Sequence, residues 1–277
     1  MKTTQTTQTT ECLVPGPAIA LAALLDLPAE AIGSGWELPP LWHWLYFLER
    51  APQSDLGPEG HAKHAIPSPP REGLRRMYAG GRVTSHRPLL LGEEADSTLQ
   101  VVRSRERNGR SGWMTIVTTR RTIRQRGQLA VTDEVDIIYR EPTRLATAIP
   151  VEAGLPAADV PGIEIDLDQA YLFRFSALTY NSHRIHYDVD YCRDEEDYPG
   201  LVVHGPLQAL LMSQEARRAA GVSTGTHFDY RLVAPLTLGQ GLVISAAAEH
   251  DGAVTAHARD RHGRTTATSH LTSLGAA

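Results

Sequence analysis

The chain has 277 residues, 42% of them apolar and 21% charged, proportions typical of a soluble globular protein of one large domain or two ordinary ones. Its formal net charge of −5 offers no general attraction to nucleic acid. Its two cysteines, Cys12 and Cys192, form neither a CxxC pair nor a disulfide ladder, which fits a reducing cytoplasm.

In chain order, the polar, low-complexity residues 1–13 open with MKTTQTTQTTE and read as a disordered lead-in without the apolar core of a signal peptide. PAIALAALLDL (17–27) is two to three helical turns of apolar residues, too short for a bilayer and suited to a buried amphipathic helix. No membrane association is expected. WELPPLWHWLYFLER (36–50) concentrates tryptophans and reads as a core or interdomain helix, or as rings that stack on a ligand's base.

RPLLLGEEA (87–95) is then followed by three strand-like stretches, DSTLQVVRSRE, WMTIVTTRRTI and LAVTDEVDIIY, with turns at Asn108-Gly109 and Arg126-Gly127. The same plan returns after APLTLGQGL (234–242), as LVISAAAE, AVTAHARD and TTATSHLTSL, with turns at Asp251-Gly252 and His262-Gly263. Between the two lies EPTRLATAIPVEAGLPAADVPG (141–162), rich in Pro and Ala. Before the second meander, Leu207, Leu210, Leu211 and Ala216 mark the apolar stripe of a helix over 206–221. Pro206 suits its first turn and Gly221 its exit. One apolar helix followed by a curved antiparallel sheet is the outline of a hot-dog fold. Its repetition predicts an α+β double hot-dog, two antiparallel sheets each wrapped around a central helix. The expected division is 14–145 for a first, non-catalytic unit, 146–162 for the linker and 163–277 for the unit with the active site.

The chemistry concentrates in YNSHRIHYD (180–188) and VVHGPLQALL (202–211). His183, His186, His204, Asp188 and Asp190 offer metal-ligand types without a strong ligand spacing, so no metal is expected. No GxSxG occurs, and neither cysteine has an activating context. Proton transfer fits better. A neutral imidazole at His186 can take a proton from water and return it. The Asn181 amide can hold that water. The helix opening at Gly205-Pro206 presents free N–H groups at its positive end, and Gly205 lets a carbonyl oxygen approach closely. Base, water holder and oxyanion donor are what hydration of an α,β-unsaturated thioester requires. Phosphate binding at the same helix start is the rival use.

FSALTYNSHRIHYD (175–188) and YPGLVVHGPLQALLM (198–212) resemble the MaoC-type enoyl-CoA hydratases. LYFLERAPQSDLGPEGH (45–61), RRMYAGG (75–81) and DEVDIIYRE (133–141) are similar to the double hot-dog branch, the hydroxyacyl-thioester dehydratases type 2, which includes mesaconyl-CoA and itaconyl-CoA hydratases. The resemblance implies that the family's catalytic histidine falls on His186 and its thioester-binding glycine on Gly205. The family's aspartate falls on Asn181, which cannot act as a carboxylate base. Asp188 is placed to polarise the imidazole of His186.

The resemblance also implies a hydratase acting on a branched dicarboxyl-CoA. Arginines would pair with the free carboxylate, and Arg184, Arg75 and Arg76 are the candidates. His204 and Tyr180, within the two motifs, complete the expected substrate-binding set. No cofactor is expected, CoA being part of the substrate, and a homodimer is compatible with the pattern. Three alternatives stay open: a (3R)-hydroxyacyl-thioester dehydratase of fatty-acyl chains, a hot-dog thioesterase, and a non-catalytic acyl-CoA-binding protein.

Overall fold

Alternating β-branched and polar residues form the strands of this chain, and paired turns fix their register. The computed structural model describes residues 6–71, 73–109, 112–141, 160–222 and 224–275. The first half runs β1 (Thr6–Cys12), α1 (Pro15–Leu24), β2 (Glu37–Leu38), β3 (Arg75–Ser85), β4 (Leu89–Leu90), β5 (Glu94–Gly109), β6 (Gly112–Gln125) and β7 (Gln128–Arg140). The second runs β8 (Ile163–Ile165), α2 (Gln169–Leu178), α3 (Val189–Asp194), α4 (Gly205–Ala220), β9 (Thr226–Leu232), β10 (Leu242–Ala248), β11 (Val254–Arg259) and β12 (Thr265–Ser273).

The order β1-β5-β6-β7-β3-β9-β12-β11-β10-β8 is a palindrome about the β3–β9 joint. Outward from that joint, each half places its inner strand, then its meander in reverse, then its first strand. This is the double hot-dog, with two differences from the expected form. The two sheets are one continuous antiparallel sheet of ten strands, because Gly80 to Ser85 pair with Arg231 to Thr226. Among the described residues α4 lies along the sheet formed by β10, β11 and β12, whereas α1 makes its main helix contacts with α2 and a 3-10 turn, Trp42–Leu45, and shares the core with the first-half strands.

Two local expectations are corrected. Residues 6–12 of the lead-in are a strand, with Thr6 to Cys12 paired to Gln100 to Glu94. Threonine-rich TTQTTEC gains its place from backbone pairing at a sheet edge rather than from apolar burial, and its residues are almost all exposed. The aromatic stretch 36–50 is no α-helix. Pro39 and Pro40 precede a single 3-10 turn, and Leu41 and Phe47 both adopt positive φ, 72° and 55°. Its rings are core all the same, Trp42 being 3% exposed, Tyr46 2% and Phe47 6%. Residues 146–159 of the expected linker, and 142–145 of the expected first unit, lie outside the described residues.

α4 begins at Gly205 and closes at Gly221, which takes the left-handed φ of 65° that ends helices cheaply at glycine. Its buried face carries Leu207, Ala209, Leu210, Met212 and Ala216, which joins it to the main core.

Candidate active site

α2 ends at Leu178, and the chain turns by donating the Asn181 N–H to the Ser176 carbonyl at 2.9 Å. Asn181 Oδ1 then accepts the His183 N–H at 3.1 Å and sets up the 3-10 turn Arg184–His186. That turn is laced to the chain before α4: Val202 N–H donates to Ile185 at 2.8 Å, and His186 Nδ1 lies 2.7 Å from the Val202 carbonyl oxygen. Two residues on, His204 caps α4, and its ring stacks on His186 with centroids 3.6 Å apart and planes 18° apart. His204 Nε2 lies 2.8 Å from Ser176 Oγ.

The Val202 carbonyl can only accept, so neutral His186 carries its proton on Nδ1 and leaves the Nε2 lone pair available. Burial pushes the His186 pKa down to about 4, while the Val202 bond acts the other way. Burial also holds His183 and His204 well below the usual imidazole value. The site is therefore a set of uncharged rings at neutral pH.

Gly205 opens α4 one residue beyond the stacked pair, and its N–H has no acceptor among the described residues. A Cβ at this position would lie 2.1 Å from Leu232 Cδ1 and 3.5 Å from Tyr78 Cδ1. Glycine is the residue that fits between α4, β9 and β3 without moving Leu232. Tyr78 belongs to the first half, and its hydroxyl bonds the hydroxyl of Tyr230 in the second.

The structure brings together His186, His204 and Gly205, with Asn181 beside them. Asn181 Oδ1 accepts the His183 N–H, which leaves a second lone pair on that oxygen and the Nδ2 donors to meet a water. Asp188 does not polarise His186. It accepts the Tyr191 N–H as the cap of α3 at 3.0 Å and pairs with Arg184 Nη2 at 2.8 Å. Arg184 also stacks over Tyr191, 4.3 Å from its centroid, and donates to the Pro58 carbonyl. Arg75 forms an ion pair with Glu196 at 3.0 Å, fastening β3 to the segment after α3. Tyr180 is 57% exposed at a positive φ of 51° and makes no ring contact with the site histidines.

Arg76 is different. Its Nη1 lies 3.4 Å from Nε2 of His61, whose ring centroid is 4.1 Å from that of His183. His61 was singled out by no spacing rule. The signal available was Gly60-His61 at the end of a Pro-x-Gly turn, a position suited to close backbone approach. Among the described residues, no group of three or more His, Cys, Asp or Glu is arranged to hold a metal ion.

A family model of hydroxyacyl-thioester dehydratase type 2 matches residues 41–238, a span that holds His61, Arg76, Asn181, His186 and Gly205. The chain is 43% identical over 233 residues to the mesaconyl-C(4)-CoA hydratase of Chloroflexus aurantiacus, covering 84% of this chain and 82% of that one. HtdX of Mycobacterium tuberculosis has a similar fold at a TM-score of 0.70, with 16% identity, 98% of this chain and 100% of that chain covered. Another M. tuberculosis protein, described as a double hot-dog, matches at a TM-score of 0.57 and 18% identity, with 99% and 96% covered.

Proposed function

Because the chain belongs to the hydroxyacyl-thioester dehydratase type 2 family, we propose that it is a hydro-lyase that adds water reversibly across the double bond of a short branched dicarboxyl-CoA, such as mesaconyl-CoA or itaconyl-CoA. The observation that carries the proposal is a neutral His186 with Nδ1 fixed on Val202, beside the open N–H of Gly205 at the start of α4. The substrate class is supported by the 43% identity to a mesaconyl-C(4)-CoA hydratase.

In this mechanism His186 Nε2 takes a proton from water as the water oxygen bonds to the β-carbon. Negative charge moves to the thioester oxygen, where the Gly205 N–H and the positive end of α4 stabilise the enolate. The imidazolium returns its proton to the α-carbon, so atoms and charge balance. Asn181 Nδ2 donates to the water oxygen and orients it. CoA arrives with the substrate, and no resident cofactor takes part. Catalysis belongs to the second half, 163–277, while the first half shapes the pocket. The cytoplasm is the compartment proposed, on the two free cysteines. No helix of the described residues is long and apolar enough to cross a membrane. A homodimer is included in the proposal, with exposed Phe173 on α2 and Ile19 on the adjoining α1 as its support.

Mesaconyl-CoA, itaconyl-CoA and crotonyl-CoA, offered separately, test the reaction by ultraviolet absorbance and product mass, with a thiol reagent in parallel. The expected result is a hydrated product, no free CoA, and a loss of about 10³-fold in turnover for a folded His186→Ala variant. Thiol release without hydration, or a fully active His186→Ala, would refute the mechanism.

A further inference from the structure

We propose that Arg76 and His61, both from the first half, form a buried carboxylate subsite beside His186 that takes the free carboxylate of a dicarboxyl thioester. Naming the ligand as a thioester rests on the hydratase reading; the carboxylate chemistry rests on the geometry that follows.

His61 reaches the site because its turn is fastened to the catalytic segment. Ser182 Oγ donates to the Gly60 carbonyl at 2.6 Å, and the Arg184 N–H donates to Glu59 at 2.9 Å. Arg184 Nη1 adds a bond to Pro58 at 3.2 Å. At Gly60, with φ of 92°, a Cβ would lie 2.0 Å from the Ser182 carbonyl oxygen. The chains pass so closely that only glycine fits, and the next residue is laid against His183.

A guanidinium only donates, so the Arg76 contact assigns the lone pair of His61 to Nε2 and its proton to Nδ1. Nδ1 of His61 is buried and has no hydrogen-bond partner, and neither has Nε of Arg76. Two donors, one of them on a cation, are thus left without an acceptor in a region of neutral histidines. Each buried donor without a partner carries a desolvation penalty that an acceptor would relieve. Arg76 has no ion pair among the described residues. Its other polar neighbour is the Tyr139 hydroxyl, which itself donates to Pro67. Glu49 feels the charge of Arg76, but burial dominates there and raises its pKa. The other two candidate arginines are matched by acids, Arg75 by Glu196 and Arg184 by Asp188. The Nε edge of a guanidinium is one of its forks for a carboxylate, and an imidazole N–H supplies the second direction. Both nitrogens are themselves buried, although His61 and Arg76 are each only half-buried as residues.

Calorimetric binding of succinyl-CoA and butyryl-CoA tests the subsite, since neither can be hydrated and they differ in one carboxylate. Wild type is expected to bind succinyl-CoA about 30-fold more tightly, the size of one charge-assisted contact pair. Arg76→Met should bring that ratio to about one, and His61→Leu should lower it about fivefold. Equal affinities in wild type, or an undiminished ratio in Arg76→Met, would overturn the proposal. Should Arg76→Met fail to fold, the wild-type ratio and His61→Leu decide. Protein that prefers succinyl-CoA yet hydrates nothing removes the hydratase reading and keeps the subsite; hydration of mesaconyl-CoA with no such preference does the reverse.

Discussion

A methyl group on residue 205 would lie 2.1 Å from Leu232 Cδ1, the movable end of a side chain, and the nearest other atom is 3.5 Å away. Gly205→Ala is therefore expected to fold after Leu232 shifts, at a cost of about 1–3 kcal/mol. Hydration should suffer more, because the displaced leucine and the new methyl crowd the N–H that holds the thioester oxygen. Removing one oxyanion donor costs about 10²-fold or more in turnover. Adding Leu232→Ala should recover most of the stability, which urea unfolding of the single and double variants would measure. Stability restored with activity still low would fit the oxyanion role, whereas joint recovery would reduce Gly205 to a packing residue. At this scale the sequence was informative where a residue acts through its neighbours in the chain. His186 and Gly205 lie in two short motifs, and α4 starts where Gly-Pro places it. Asp188 and Arg184 are instead tied to each other by an i, i+4 ion pair, with Asp188 also the cap of α3, a competition that proximity to His186 in sequence does not reveal.

The joint between β3 and β9 decides whether there are two sheets or one. Gly81 sits on β3 where a Cβ would lie 2.3 Å from the Glu134 carbonyl oxygen and 2.6 Å from the Tyr230 hydroxyl. At Gly80, with φ of 148°, the nearest atom is the Tyr230 carbonyl oxygen at 2.4 Å. Backbone oxygens in a paired sheet cannot step aside as Leu232 can. Gly81→Ala is expected to lose at least about 3 kcal/mol by urea unfolding, more than Gly205→Ala. A smaller loss would mean that the joint is soft. The meander strands were readable from alternation and turns: the predicted 242–249 is β10 and the predicted 265–274 is β12, each to within one residue. β3 and β9 were not. Their pairing joins residues on either side of the linker, and RRMYAGGRVTS carries two glycines where a strand signal would need side chains. β1 escaped notice for the related reason that an edge strand with polar faces has the composition of a disordered tail.

At the scale of the whole molecule, both halves meet around four histidines kept neutral by burial. His61 comes from the first half, and His183, His186 and His204 from the second; burial lowers the pKa of each. In the unfolded chain the same side chains titrate near pH 6.5. Above that value both states are neutral, and the histidines leave stability independent of pH. Below it the unfolded chain binds protons that the folded protein refuses, so stability falls as pH falls, by up to about 1.4 kcal/mol per pH unit for each histidine. For His186 this continues to about pH 4. Glu49 and Glu196 oppose the trend, since burial raises their pKa values and makes protonation easier in the folded state. Four lowered histidines outnumber the two raised carboxyls, so the histidines set the net trend below pH 6.5. Urea unfolding at pH 7 and pH 5 should show a loss of at least about 2 kcal/mol, well inside the bound set by four rings. His61→Leu removes one proton site from the unfolded chain and should make the profile shallower. An unchanged midpoint from pH 7 to 5 would mean that the folded protein accepts protons in this cluster, and that the base at His186 works among charged neighbours rather than neutral ones.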